Sequence, residues 1–315
     1  MDTRCVRRAS RFAACAVAIC SAVACVAQAG GKSGPEFVPA SAGWQPAVRS
    51  AARLSPEARI VVLDVATGRL LAANHLAEAA RTLATPGSTL KPLVLYGLVS
   101  AGRWDPSRRI ACTRNLTISG RSMNCSHPPA DAMDARTALA WSCNTYFAAV
   151  AGTLAPDELR KVLTPTGLLT TTGLATNEAI AGFRDPRTQD ETRLALLGVE
   201  GVRVTPLELA AAYRWLALQL AAQPGSQAAK VVEAGLADSA SFGMAGAAGL
   251  GGVPVAGKTG TAGFEPGSQT HGWFAGFAPS IAPRVVIIVY LPAGHGSDAA
   301  RVAAELLAHS LLRHP

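Results

Sequence analysis

The amino-acid sequence predicts an α+β fold of two layers or lobes. An antiparallel sheet is built from the N- and C-terminal segments, and a helical lobe is inserted between them. Strand-like runs at residues 59–73 and 253–291 lie on either side of a long Ala/Leu-rich stretch with helical spacing. At 315 residues, with 49% hydrophobic and 16% charged residues, the chain is long and apolar enough for a sizeable core. We expect the active site where sheet and helices meet.

The first 29 residues predict a secretory signal peptide. Four arginines lie within the first eleven residues, and an uncharged, Ala-rich stretch follows over residues 12–27. Small residues then close the segment at Ala29, which predicts cleavage there. An uncleaved anchor is the alternative, although a membrane-spanning helix needs about 20 apolar residues. Lipid attachment at Cys25 is disfavoured, because residues 22–24 are a poor lead-in for it.

Export would place the mature chain in the periplasm or at the outer face of the cytoplasmic membrane. Residues 30–44, rich in Gly, Pro and Ser, predict a flexible linker, and residues 45–315 the folded domain. Without the signal the net charge falls from +8 to +5. That excess suits an anionic wall polymer or a membrane surface, and equally suits solubility alone. The chain carries no nucleic-acid-binding motif, so we expect no such partner.

The elements follow from hydrophobic spacing and from Gly and Pro breaks. Residues 59–65 and 69–73, around a short turn at 66–68, predict a β-hairpin. Residues 86–220 are mostly helical by pattern, and a Gly-rich passage follows at 243–252. The clearest helices and strands predicted beyond the hairpin are helices 134–141, 145–154, 206–220 and 297–312, and strands 253–261, 272–278 and 284–291.

A first motif places Ser88 and Lys91 three residues apart, just after Gly87. If a helix begins near Gly87, the two side chains share one face, and the amine can accept the hydroxyl proton. The N–H groups of a helix N-terminus could also stabilise an oxyanion. Pro92 breaks a local rule, because inside a helix it removes a backbone hydrogen bond. A solvated helix face is the alternative for this pattern alone.

Lysine usage strengthens the first motif. The chain has 24 arginines but only five lysines, so a plain positive charge is usually supplied by Arg. Arginine cannot be deprotonated in proteins, whereas a buried lysine can act as a base. The lysines at Lys91 and Lys258 are therefore candidates for chemistry.

A second motif, Ser142-Cys143-Asn144, follows a helical segment. If the tripeptide is extended, the hydroxyl and the amide point the same way. The hydroxyl of Ser142 could relay a proton to a leaving amine, and Asn144 could hold a peptide carbonyl. Helix capping or a turn is the alternative for these residues. Cys143 is most simply a small packing residue.

A third motif, Lys258-Thr259-Gly260-Thr261, lies inside a strand-like run. Thr259 and Thr261 share one side of such a strand, and the glycine permits close approach of a ligand. Hydroxyls beside an ammonium group suit a terminal carboxylate. An edge strand with a bulge is the alternative when this run is taken alone.

The three motifs together, in the order Ser-x-x-Lys, Ser-x-Asn and Lys-Thr-Gly, are far more specific than any one of them. With the run GWFAGFAP at residues 272–279, they make residues 45–315 resemble the transpeptidase domain of penicillin-binding proteins. The resemblance implies an enzyme that acts on D-Ala-D-Ala stem peptides of peptidoglycan and is blocked by β-lactams. It implies no metal and no organic cofactor.

The resemblance also implies a role for each motif residue. Ser88 would be acylated with Lys91 as the base, while Ser142 and Lys258 would complete a proton relay. Asn144 would bind the amide of the donor. Thr259 and Thr261 would hold its carboxylate, and the backbone N–H groups of Ser88 and Thr261 would form the oxyanion hole. The acceptor would be an amine in a transpeptidase or water in a carboxypeptidase.

Two departures from large family members leave the cellular role open. The chain has no glycosyltransferase module and little room for an N-terminal pedestal, so cell-wall synthesis proteins or residues 30–43 would have to position it.

Two other functions share this pattern. A β-lactamase would add fast hydrolysis of the acyl-enzyme, but the Glu-x-x-Leu-Asn motif of class A enzymes is absent, and Glu178 lacks that context. Class D enzymes usually have an apolar residue where Asn144 stands. A penicillin-binding sensor or an inactive scaffold is the other alternative, and the intact motifs disfavour the scaffold.

Three cysteines, Cys112, Cys125 and Cys143, remain after the predicted signal. In an oxidising compartment Cys112 and Cys125 could form a disulfide, and free thiols in a loop are the alternative. A zinc site made of Cys112, Cys125 and His127 is disfavoured, because the sequence offers no fourth ligand at a suitable spacing.

Overall fold

The computed structural model describes residues 43–263, 269–310 and 312, so the predicted signal peptide and nearly all of the linker lie outside it. None of the helices in these ranges is long and apolar enough to cross a membrane. The strands are β1 Arg59–Asp64, β2 Leu70–Asn74, β3 Thr117–Ile118, β4 Arg121–Ser122, β5 Gly182–Phe183, β6 Val202–Arg203, β7 Ala256–Ala262, β8 His271–Ala278 and β9 Val285–Leu291. The α-helices are α1 Trp44–Ala52, α2 Leu76–Ala79, α3 Lys91–Ser100, α4 Ala135–Ala140, α5 Asn144–Ala151, α6 Glu158–Leu163, α7 Gln189–Leu196, α8 Pro206–Ala222, α9 Gln227–Ser241 and α10 Gly296–Ala308. Short 3₁₀ segments cover Gly87–Leu90, Thr164–Thr166 and Gly246–Gly251.

The main sheet joins the two ends of the chain, as predicted. Its five strands lie in the order β2-β1-β9-β8-β7, and each neighbouring pair is antiparallel. The predicted hairpin forms from β1 and β2, and β1 pairs with β9 through contacts such as Val61 opposite Ile288. Helices α2 to α9 lie in sequence between β2 and β7, which confirms the α+β fold with an inserted helical block.

The sheet is buried on both faces, which adds a layer to the two that the sequence predicts. Along β1, Val61 and Leu63 belong to the core shared with α3 and α8, whereas Ile60 and Val62 belong to a second core shared with α1 and α10. This alternation follows from the two-residue period of a strand. Since both faces of β1 are apolar, both need a helical cover.

Helix α3 lies at the centre of the inserted block. Nearly all of its residues are buried, and it packs against α4, α6, α8 and α9. A helix that is apolar all round is stable only when it is enclosed in this way. The N-terminus of α3 is therefore held on a rigid support, and this end carries the first motif.

Three helices were not predicted from the sequence, namely the four-residue α2 and the longer α1 and α9. Helix α1 buries Trp44, Ala47, Val48 and Ala51 against the second core, and it begins at the last residue of the predicted linker. Helix α9 begins after Ser226, whose hydroxyl accepts a hydrogen bond from the third residue of the helix. Both of these longer helices have the apolar spacing expected of amphipathic helices.

Candidate active site

The first motif is a 3₁₀ turn that leads into α3. Ser88 lies half-buried within the turn, and Lys91 is the first residue of α3. The α-helix therefore begins four residues later than the sequence suggests. Pro92 consequently lies in the first turn of α3, where its missing N–H is tolerated, so the expectation that it breaks a helix rule is wrong.

Lys91 is fully buried, and its amine binds the second motif. Its Nζ donates to the carbonyl of Ser142 at 2.9 Å, to the Oγ of Ser142 at 3.2 Å and to the Oδ1 of Asn144 at 2.7 Å. Burial lowers the pKa of Lys91 to about 8, although the neighbouring Cys143 and Cys125 act to raise it. An amine with this pKa is partly neutral between pH 7 and 8, which is the range suited to a general base.

The second motif is bent rather than extended. Ser142 has a φ of 57°, and Cys143 is the extended N-cap residue of α5, whose sulfur accepts a hydrogen bond from the N–H of Tyr146. A positive φ at a non-glycine residue is strained and is often found at functional sites. The condition of an extended tripeptide is therefore not met, and Cys143 caps a helix as the alternative expects, yet both the hydroxyl of Ser142 and the amide of Asn144 reach Lys91.

The amide of Asn144 is engaged at both ends. Its Oδ1 accepts from Lys91, and its Nδ2 donates to the carbonyls of Met123 at 3.1 Å and Asn124 at 3.3 Å. Asn144 thus links the lysine to the loop that carries Met123 and Asn124. This link orients both the base and one wall of the site.

The third motif lies on β7, an edge strand of the main sheet. Thr259 and Thr261 line the same cavity as Ser88, which confirms that they share one side of the strand. The Oγ1 of Thr261 accepts from the N–H of Gly296 at 3.0 Å. Lys258 is fully buried and donates to the carbonyl of Thr259 at 3.1 Å. Burial, together with the charge of Lys91, holds the pKa of Lys258 well below its usual range.

Glycines allow the first and third motifs to touch. Gly87 has a φ of +55°, and a Cβ there would lie 2.8 Å from the carbonyl oxygen and 3.0 Å from the amide nitrogen of Thr261. On the other side, the N–H of Gly87 donates to the carbonyl of Gly198 at 2.8 Å. Only residues without side chains permit this approach, so the backbone of Ser88 is fixed against β7.

The segment before Ser88 is anchored to β8. The carbonyl of Thr85 accepts from the Nε1 of Trp273 at 3.0 Å and lies 2.8 Å from the Nε2 of His271. Just after Ser88, the carbonyl of Thr89 accepts from the hydroxyl of Tyr213, which lies on α8, at 2.9 Å. The hydrogen bond of Trp273, which belongs to the GWFAGFAP run, therefore helps to hold the first motif in place.

A cavity of about 350 Å³ lies between the three motifs. It is lined by the predicted residues Ser88, Ser142, Asn144, Thr259 and Thr261. Lys91, Lys258 and Gly260 are not in its lining. The lining also includes residues that sequence analysis did not identify, namely Ser122, Met123, Asn124, Ser126, Leu197, Val199, Met244 and His295. Except for Ser122, which ends the two-residue strand β4, these residues come from loops, for which no periodic pattern indicates which ones converge.

Comparison with known proteins identifies the architecture. A family model described as the penicillin binding protein transpeptidase domain matches residues 58–311. This chain belongs to that family. The match covers all three motifs, so the family and the predicted fold agree with the sequence analysis.

Solved structures with the transpeptidase fold include two Burkholderia proteins. A peptidoglycan glycosyltransferase from Burkholderia ambifaria is 20% identical with a TM-score of 0.71, over 84% of this chain and 92% of that one. The apo transpeptidase domain of penicillin-binding protein 3 from Burkholderia pseudomallei is 22% identical with a TM-score of 0.72, over 84% and 91%.

A third similar structure comes from a larger assembly. A chain of a peptidoglycan synthase complex, solved to explain how polymerization and crosslinking are coordinated, is 23% identical with a TM-score of 0.67. The match covers 85% of this transpeptidase domain protein but only 60% of the other chain. At these identities the three structures establish the fold.

Two further expectations concern residues outside the motifs of this transpeptidase domain. Cys112 and Cys125 are free thiols whose sulfurs lie 3.3 Å apart, so the structure contains no disulfide between them. Glu178 accepts hydrogen bonds from the backbone of Thr172 and Ala175. Burial acts to raise the pKa of Glu178, but these hydrogen bonds outweigh it and leave the pKa lowered. Glu178 therefore stabilises its own loop and is not part of the cavity lining.

Proposed function

We propose that this protein is a serine D,D-acyltransferase that acts on D-Ala-D-Ala stem peptides of peptidoglycan. The observation that carries the proposal is the meeting of the three motifs at one cavity, where the buried amine of Lys91 is bonded to Ser142 and Asn144. Membership of the transpeptidase family makes an acyl transfer to or from cell-wall peptides the expected reaction class.

In the first step, Ser88 Oγ attacks the carbonyl carbon of the penultimate D-alanine. Lys91 takes the proton of the hydroxyl, which its lowered pKa and burial favour. The negative charge on the tetrahedral oxygen would be stabilised by the backbone N–H groups of Ser88 and Thr261. The close approach of Gly87 to Thr261 supports this pairing.

In the second step, the bond to the terminal D-alanine breaks and its nitrogen takes a proton. The Oγ of Ser142, 3.2 Å from the amine of Lys91, is the group best placed to pass that proton on. Lys258, the second lysine of the relay, also has its pKa lowered by burial, and within the described ranges it is bonded to the carbonyl of Thr259 and not to Ser142. The acyl-enzyme then passes to an amine, forming a crosslink, or to water.

The donor peptide would bind along β7. An edge strand has unpaired backbone groups, to which an extended peptide can add as a further strand. The hydroxyls of Thr259 and Thr261, both in the cavity lining, would bind the terminal carboxylate. Asn144 would bind the donor amide, exchanging one of its present hydrogen bonds to do so.

The cellular setting is part of the same proposal. Residues 1–29 would direct export, residues 30–44 would act as linker, and residues 45–315 would work in the periplasm or at the outer face of the cytoplasmic membrane. Peptidoglycan stem peptides would be the substrate, β-lactams covalent inhibitors, and other cell-wall synthesis proteins partners. Mass spectrometry of the exported protein would show whether cleavage follows Ala29.

The test is covalent labelling with a fluorescent penicillin. Wild type and Ser100→Ala, a matched control at the exposed end of α3, should take a label that lasts for hours, and Ser88→Ala should take none. A label that clears within seconds would instead indicate a β-lactamase, and an unlabelled wild type would contradict the mechanism. Incubation with a stem pentapeptide, with and without an amine acceptor, should then release D-alanine and distinguish crosslinking from hydrolysis.

A further inference from the structure

Four side chains of metal-ligand type converge behind the second motif. Cys112, Cys125, His127 and Cys143 each bring one donor atom to a spot where all four atoms lie within 4.8 Å of one another. We propose that these four residues form a structural Zn²⁺ site of the Cys₃His type, which fixes the second motif in place. The sequence offers Cys112, Cys125 and His127 at close spacing, and the fold supplies the fourth ligand, Cys143.

The distances suit a tetrahedral zinc ion. Zinc lies about 2.3 Å from sulfur and about 2.0–2.1 Å from nitrogen, so the donors of a tetrahedral site are about 3.5–3.8 Å apart. The sulfur of Cys112 is 3.3 Å from that of Cys125 and 3.5 Å from the Nε2 of His127. The sulfurs of Cys125 and Cys143 are 3.8 Å apart. The remaining pairs of donor atoms lie within 4.8 Å, so movements of about 1 Å would bring all four donors onto one ion.

The ring of His127 is oriented for metal binding. Its Nδ1 lies 2.7 Å from the carbonyl of Pro128, which can only accept a hydrogen bond. The proton is therefore on Nδ1, and the lone pair of Nε2 faces the sulfur of Cys112. A hydrogen bond from the second ring nitrogen to a backbone carbonyl is the usual support of a zinc-bound histidine.

Each cysteine sulfur also accepts a hydrogen bond from the backbone. The N–H of Arg114 donates to Cys112 at 3.4 Å, and the N–H of Asn144 donates to Cys125 at 3.2 Å. The N–H of Tyr146 donates to the sulfur of Cys143 at 3.5 Å. Such bonds stabilise thiolates, which are the form of cysteine that binds zinc.

A disulfide accounts for fewer of these observations. It would join only two of the sulfurs, and it would not explain why the buried Cys143 and His127 bring their donor atoms to the same spot. Among first-row metals, a closed set of three thiolates and one imidazole in tetrahedral arrangement is typical of structural zinc.

The location explains what the ion would do. Cys143 lies between Ser142 and Asn144, and Cys125 follows Asn124, whose carbonyl accepts from the amide of Asn144. Between Cys112 and His127 the regular structure consists of the two-residue strands β3 and β4. One ion would tie this loop to the start of α5. It would thereby hold the cavity wall and the partners of Lys91 in register.

The decisive measurement is the metal content of the purified protein, determined by inductively coupled plasma mass spectrometry. Wild type should carry about one zinc per chain. So should His309→Ala, a matched control at an exposed histidine that follows the C-terminus of α10. His127→Ala should carry at least about tenfold less after the same dialysis. Cobalt substituted into wild type should give a thiolate charge-transfer absorption band, which His127→Ala should show weakly or not at all.

A second measurement does not depend on a variant that folds. Chelation should remove zinc from wild type, lower its melting temperature and expose three reactive thiols, and added Zn²⁺ should reverse all three changes. The proposal would be overturned if the purified protein held no zinc and its intact mass and peptide map showed a disulfide between Cys112 and Cys125. Three reduced thiols that bind no zinc after incubation with ZnCl₂ would also overturn it. Because metal content is read independently of penicillin labelling, this result does not depend on the proposed acyl transfer.

Discussion

Two of the described lysines, Lys91 and Lys258, are fully buried, while Lys161 and Lys230 are exposed. The scarcity of lysine in the sequence drew attention to all of them, but only burial separates the two in the motifs from the others. A buried amine loses hydration of its charged form, so its pKa falls and it can act as a base. The lowered pKa of Lys91, to about 8, is a direct consequence.

The first prediction concerns the pH dependence of acylation. The neutral amine of Lys91 is the base, so the rate of acylation by a fluorescent penicillin should rise with pH, with a midpoint near its pKa of about 8. Lys91→Arg should slow acylation by about 10²- to 10⁴-fold, since guanidinium does not deprotonate. Stopped-flow labelling across this range provides the measurement. Lys161→Ala, an exposed control, should keep the wild-type profile; a flat profile for wild type would rule out Lys91 as the base.

At the scale of elements, the site depends on close contact between the 3₁₀ turn, the loop after α7 and β7. Gly198 has a φ of +71°, and a Cβ there would lie 2.1 Å from the carbonyl oxygen of Gly87. Gly201 has a similar φ of +76°, but the nearest atom to its Cβ would be 3.5 Å away. Substituting either glycine would strain a positive φ, but only a side chain at Gly198 would also clash with the first motif. Comparing the two substitutions therefore distinguishes the effect of backbone strain from the effect of that clash.

The second prediction uses this pair. Both Gly198→Ala and Gly201→Ala should lose about 1 kcal/mol or more of unfolding free energy, because alanine disfavours a positive φ. Only Gly198→Ala should also displace Gly87 and slow acylation, by about tenfold or more, since small misplacements of catalytic groups are costly. Urea denaturation and labelling rates measure the two effects. Equal labelling rates for both variants would show that Gly198 does not position Ser88.

At the scale of the whole molecule, the sheet separates two cores. The first surrounds α3 and contains Leu93, and the second lies under α1 and α10 and contains Leu306. Only the first core directly supports the N-terminus of α3, where Ser88 and Lys91 lie. Stability should therefore depend on both cores, and catalysis mainly on one.

The third prediction compares two fully buried leucines. Leu93→Ala and Leu306→Ala should each lower the unfolding free energy by about 2–5 kcal/mol, because each leaves a cavity in a packed core. Under conditions where both variants are folded, Leu93→Ala should slow acylation, whereas Leu306→Ala should stay within about twofold of wild type. Chemical denaturation and penicillin labelling would measure these effects, and similar slowing by both changes would contradict the separation of the two cores.

Local patterns in the sequence predicted much of the fold. The hairpin of β1 and β2, the strands β7 to β9 and the helix α8 follow from side-chain spacing, turn residues and capping, which depend on neighbours within a few positions. Helices α1 and α9 carry the same signals. They were missed because α1 adjoins a Gly/Pro/Ser-rich segment and α9 is made largely of small residues.

The sequence by itself determined the three motifs, their order and the family, because these depend on residue types at fixed short spacings. Only the tertiary structure decided the left-handed Ser142, the bonds of Lys91, the loops that complete the cavity and the position of Cys143 beside Cys112, Cys125 and His127. The physical reason is that contacts between residues far apart in the chain are set by how whole elements pack, and no local pattern records that packing.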